Sequence, residues 1–216
     1  MHSYQKFNYR IGKLSDVLQE LSSRFMRKKL DGTDFDEKMH MLDSMPIVVA
    51  NSRRSGSAKV ASEMCDKGYC ASKKMRYYGI KLHSLNRAQD HTIPNPVLTW
   101  ISPASENDLT SAKEMLINVN NIDIYADKAY CDATWKIDFK ERNVCLTTPI
   151  KMNKGETEPD VIDEMYNSII ASIRQPIESF FSWLQRVTRI QIASAVRSEN
   201  GLRSFVFARL AVAVLF

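Results

Sequence analysis

The 216-residue chain has only four cysteines and four histidines. Cys65, Cys70, Cys131 and Cys145 form no close CxxC pair, which argues against a structural zinc site. With no signal peptide at the start, the thiols read as reduced residues of a cytoplasmic protein rather than a disulfide framework. No apolar run is long enough for a membrane span. The strongly apolar end, residues 205–216, is too short to cross a bilayer and reads as a buried helix. That run stops without a polar tail, which suggests a natural chain that once continued. Internal repeats and low-complexity tracts are both missing.

What is present is an ordinary core-forming composition with a modest basic excess. A hydrophobic fraction of 44% excludes wholesale disorder, and the length allows one domain, or one domain with a small appendage. Thirty Lys and Arg against 25 Asp and Glu leave a net charge of +5, compatible with a polyanionic partner. The excess is uneven. Between Arg53 and Arg76 seven basic residues face only Glu63 and Asp66, so this segment, with Arg53, Arg54, Lys73 and Lys74, is the expected anion-facing surface.

Hydrophobic periodicity sets the element order. Ile11, Leu14, Leu18, Leu21 and Phe25 recur at helical steps, predicting an amphipathic helix over residues 4–28 that a polar turn at residues 31–34 ends. A first strand closes at Asp43, and Pro46 is expected to break the ladder before Ile47. Residues 76–85 and 97–101 read as a hairpin around Pro94 and Pro96. Ser105 with Asp108 resembles a capping box for a helix through Leu116. A strand then leads to Asp127, Asp132 caps a short helix, and residues 144–148 form a fifth strand. After a polar stretch at residues 151–160 the sequence turns helical, and Pro176 is expected to break that helix and start another, with Glu178 in its first turn. Hairpin-linked strands followed by alternating helices and strands predict an α/β fold: a mixed five-stranded sheet flanked by helices. Residues 1–37 would form an N-terminal helical segment and residues 38–216 the core.

Three acids stand beside three of these apolar runs: Asp43, Asp127 and Glu178. A carboxylate at the end of a buried strand loses hydration, which is costly unless it meets a cation or good donors. Three that converge would repel one another without a metal. Oxygen-only ligands suit hard ions, so Mg²⁺ or Mn²⁺ is expected rather than zinc.

The order of elements and acids resembles the ribonuclease-H-like catalytic core of DDE transposases of bacterial insertion sequences. Residues 42–47 (LDSMPI) look like the first-aspartate motif and residues 126–130 (ADKAY) like the second. Residues 66–70 and 78–83 are similar to family sequence between them, and residues 174–181 (RQPIESFF) look like the glutamate motif. The resemblance implies a DNA transposase that cleaves at transposon ends and transfers 3′-hydroxyl ends into target DNA. It implies two metal ions, Asp43 bridging them and Asp127 and Glu178 each completing one shell. Arg174 matches the arginine of the family's tyrosine, arginine, glutamate, lysine signature and would contact DNA phosphate or orient Glu178. Ala171 and Gln185 stand where the tyrosine and lysine would be, with Arg186 or Arg189 as substitutes for the missing charge. Lys81 would contact phosphate, and His83 is expected to be structural. The partners implied are DNA, as inverted repeats and target, and a second copy of the chain, on the bacterial nucleoid and with no membrane. Only 42 residues precede Asp43, little room for an end-binding domain. A truncated DNA-binding remnant that does not transpose, or another ribonuclease-H-like nuclease, is the alternative expectation.

Overall fold

The computed structural model describes residues 3–30, 39–89, 92–151 and 160–215. The predicted turn at residues 31–34 and most of the polar stretch before Asp160 lie outside them. The chain opens with α1 (Tyr4–Gly12) and α2 (Ser15–Leu30), two helices where one was expected. The break follows Gly12, the residue least costly to remove from a helix. It turns the buried face of α2 from the predicted stripe: Leu14 and Leu21 are exposed, whereas Met26 is buried and Leu18 and Phe25 pack beside it. α2 docks on the last helix, α6 (Glu199–Leu215), where Arg203 donates to Asp16 and Gln19 at 2.9 and 2.8 Å.

Among the described residues six strands form one mixed sheet. They are β1 (Met39–Asn51), β2 (Asp66–Cys70), β3 (Met75–Arg87), β4 (Asn95–Pro103), β5 (Asp123–Ala126) and β6 (Cys145–Thr147). β1 is central, antiparallel to β3 and parallel to β5, which is parallel to β6. The far edge of β3 is shared by β2 along its first half and β4 along its second. The expected hairpin and fifth strand are therefore present, and β2 is an addition inside the basic segment. Gly79 lies where β1 bulges, and a Cβ there would meet the Ile47 carbonyl oxygen at 2.1 Å. Only glycine fits that approach.

Pro46 does not interrupt β1, contrary to expectation. The Val48 amide donates to the Gln191 carbonyl at 2.8 Å, away from β3. Two residues back, the Pro46 nitrogen points the same way, to a stretch of edge that no strand covers among the described residues, so no ladder bond is lost there.

Helices cover both faces. The helices α3 (Asp108–Met115) and α4 (Ala133–Glu141) bury Ala112, Met115, Trp135 and Phe139 against Leu42, Ile124 and Ala126. Asn107, not Ser105, caps α3, while Asp132 caps α4 as expected. The opposite face holds α2, α5 (Val161–Thr188) and α6, packed on Met41, Met45 and Ile47. α5 is one helix with Pro176 inside it, so the expected break is absent and Glu178 sits mid-helix, not in a first turn. Ile170 before the proline and Ile177, Phe180 and Leu184 after it are all buried, and that burial outweighs one missing backbone bond. This is an α/β architecture compatible with the ribonuclease-H-like fold. Among the described residues no helix is long and apolar enough to cross a membrane.

Candidate active site

Register brings the two aspartates together. Leu42 pairs with Ala126 in the parallel β1–β5 ladder, so Asp43 in β1 and Asp127 just past the end of β5 are the next residues along. Side chains alternate across a sheet. Leu42 and Ala126 enter the α3–α4 core and Met41 and Met45 the other, which turns Asp43 toward α5. The backbone of Asp127 is still extended (φ −79°, ψ 177°), so its carboxylate turns to the same side. β5 ends at Ala126, and the next segment to join that edge of β1 does so at Val48. The acids occupy the gap between.

α5 supplies the rest. Arg174 and Glu178 are one turn apart, and the Arg174 guanidinium donates to both carboxylates: Nη1 to Asp43 Oδ2 at 2.8 Å and Nη2 to Glu178 Oε1 at 3.2 Å. Backbone amides hold two further oxygens. Ser44 N–H donates to Asp43 Oδ1 at 2.8 Å, and Ala129 N–H donates to Asp127 Oδ1 at 2.7 Å, capping the short 3-10 turn Lys128–Tyr130. Burial pushes the Asp43 carboxyl up to about 6, and Asp127 and Glu178 add to that, against the pull of Arg174 and the Ser44 amide.

The three acids thus lie within electrostatic reach of one another around one arginine. They do not form a ready ligand set: among the described residues no group of three His, Cys, Asp or Glu side chains is placed to hold a metal ion. Arg174 takes one oxygen each of Asp43 and Glu178 that a cation would otherwise compete for.

The model of the transposase DDE domain family matches residues 38–215. The chain belongs to the DDE transposase family. No curated protein and no solved structure matches this transposase. Membership carries polynucleotidyl transferase chemistry, DNA as substrate and, as a general property of the family, divalent metal ions.

Other candidates in this DDE transposase are dispersed. Arg53 and Arg54 are exposed in the turns after β1, and Lys73 and Lys74 are exposed between β2 and β3. Lys81 lies on the α3 side of the sheet, where its Nζ donates to Asp108 at 2.9 Å and to the Glu106 carbonyl at 2.6 Å. His83 is fully buried, its Nε2 against Ser102 Oγ at 2.9 Å, and burial lowers its pKa to about 4. It is held neutral, as a structural group would be. Arg189 takes the left-handed C-cap of α5 (φ 54°). Phe180 is buried and Trp183 packs half-buried beside it. Sequence reasoning missed Asp108, the partner of Lys81, and Gln191, which lies against β1. In the sequence Asp108 figures only as part of a cap, although an acid in the first turn of α3, beside a buried face, is a signal; Gln191 carries none.

Proposed function

We propose that this transposase cleaves DNA at transposon ends and transfers the 3′-hydroxyl ends into target DNA, using Asp43, Asp127 and Glu178 on Mg²⁺ or Mn²⁺. The observation that carries the reading is the Arg174 bridge between Asp43 and Glu178 beside Asp127, which gathers acids from β1, β5 and α5 at one sheet gap. The donor set fits a hard divalent ion in kind: oxygen-only, anionic, and including a carboxylate that burial has stripped of water, its pKa raised to about 6. When bound, a metal pair supplies stabilisation of the attacking and leaving oxygens of an in-line displacement.

The protein's own groups orient that chemistry. Asp43, central and fixed by the Ser44 amide, would hold both ions. Asp127, fixed through one oxygen by the Ala129 amide, would present the other. Glu178, on the exposed side of α5, would complete the second shell once Arg174 yields it. Arg174 and Lys81, both engaged by acids, position carboxylates, while Arg53, Arg54, Lys73 and Lys74 meet DNA phosphates. The reaction needs no covalent enzyme intermediate, and two copies acting on paired ends would complete the assembly.

The test is cleavage of DNA carrying the flanking inverted repeats with Mg²⁺ or Mn²⁺, beside an Asp127→Asn variant. Cleavage that vanishes in the variant supports the reading. DNA binding without cleavage by the native protein overturns it and leaves a DNA-binding remnant.

A further inference from the structure

A hollow of about 960 Å³ opens at the far end of β1 from Asp43. Its rim carries Arg54, Lys59, Lys73 and Arg197, brought from three separate segments: the turns after β1, the β2–β3 turn and the stretch before α6. No acid lines it. Two carboxylates, Glu63 and Glu199, line an adjoining hollow that shares Lys59 and Arg197. Among the described residues none of the four cations forms an ion pair. Four converging positive charges repel one another, a cost that an anionic ligand would offset.

The walls are fixed rather than loose. The segment around Ile192 is stitched to β1 by Val48 N–H to the Gln191 carbonyl and Ala193 N–H to the Val48 carbonyl, both 2.8 Å. Lys73 Nζ is held by Gln191 Oε1 at 2.7 Å, and Arg197 Nη1 donates to two backbone carbonyls at 2.7 Å, neither of which neutralises charge. Among the described residues no aromatic ring lines the hollow, and they offer no stacking platform for bases. Its chemistry suits a phosphate backbone.

Position gives the ligand. β1 and α5 both run from the acids to this hollow. Val48 lies roughly 16 Å along β1 from Asp43, and Gln185 roughly 10 Å along α5 from Glu178. A strand with one phosphate at the acids reaches the hollow with another.

We propose that this hollow is a phosphodiester-backbone site that holds the DNA flanking the reacting phosphate. The proposal rests on the reading of the chain as a DNA strand transferase, but its test does not depend on catalysis. Binding of a fluorescein-labelled DNA duplex is measured by anisotropy across a salt series, without divalent metal and in the Asp127→Asn background. Arg54→Gln/Arg197→Gln is compared with Arg54→Gln/Lys59→Gln, which keeps the Arg197 backbone contacts, and with Lys6→Gln/Lys140→Gln as a charge-matched control elsewhere. The expected result is affinity about tenfold weaker for both hollow pairs, with the salt slope reduced by about 2, and little change in the control. Native affinity and slope in both hollow pairs, or an equal loss in the control, would overturn the site whatever the cleavage assay shows.

Discussion

Arg174 on α5 meets Asp43 on β1 at 2.8 Å, and the two side chains are only 18% and 20% exposed. The pair joins a helix to the central strand across 131 residues of chain, and it places one positive charge among three negative ones. Removing the cation leaves Asp43 buried beside two acids. Arg174→Ala should lower stability by about 2 kcal/mol, less than a fully buried pair because water still screens it. Adding Asp43→Asn should recover most of that loss, and a double-mutant cycle by urea unfolding reads the coupling. Independent, additive effects would mean the contact contributes nothing.

Glu178 is the exposed member, its side chain 61% accessible. Glu178→Gln should therefore leave the unfolding free energy within about 0.5 kcal/mol of native. Cleavage of transposon-end DNA should fall at least about 10³-fold, or roughly 4 kcal/mol of barrier. Retained cleavage would remove Glu178 from the site.

Two buried groups push the pH dependence in opposite directions. The Asp43 carboxyl sits at about 6 against an ordinary 3.8, so the folded state binds the extra proton and gains stability as pH falls from about 6 toward 3.8. His83 sits at about 4 against 6.5, so there the unfolded state binds the proton and stability is lost as pH falls from 6.5 to about 4. The His83 effect has an upper bound of about 3 kcal/mol. Native stability should change little between pH 7 and 5. Asp43→Asn should make it fall on acidification and His83→Gln should make it rise, both measured by urea midpoints. Parallel curves for all three proteins would contradict these assignments.

Pro176 lies inside α5 and removes one backbone donor. Replacing it with alanine restores a helical bond worth about 3 kcal/mol relative to proline. The same change loosens the unfolded chain, at up to about 1 kcal/mol. The net expectation for Pro176→Ala is a gain of about 2 kcal/mol in thermal unfolding. A loss would show that the proline sets a bend which the Ile177 and Phe180 packing requires.

Local chemistry was legible wherever a short segment decides its own fate. Asp132 caps α4 because its carboxylate reaches the Thr134 and Trp135 amides two and three residues on, a contact written in the sequence. The hairpin of β3 and β4 and the buried helix α6 were legible for the same reason, since alternation and helical spacing need no distant partner. The order of Asp43, Asp127 and Glu178 along that series, with their flanking motifs, pointed to the family before any coordinates.

Only the tertiary structure decided the rest, because each remaining answer depends on what lies opposite in space. Pro46 stays within β1 because its nitrogen faces an uncovered edge, and Pro176 stays within α5 because Ile177, Phe180 and Leu184 bury a shared face. The stripe on the N-terminal helices turned because α6 selects which side to bury. Lys81, a phosphate contact by sequence, is drawn to Asp108 by the fold. Arg174 shows the division most clearly. Its spacing from Glu178 is a property of helical periodicity, but its bond to Asp43 exists only because register and alternation turn that strand's carboxylate toward α5.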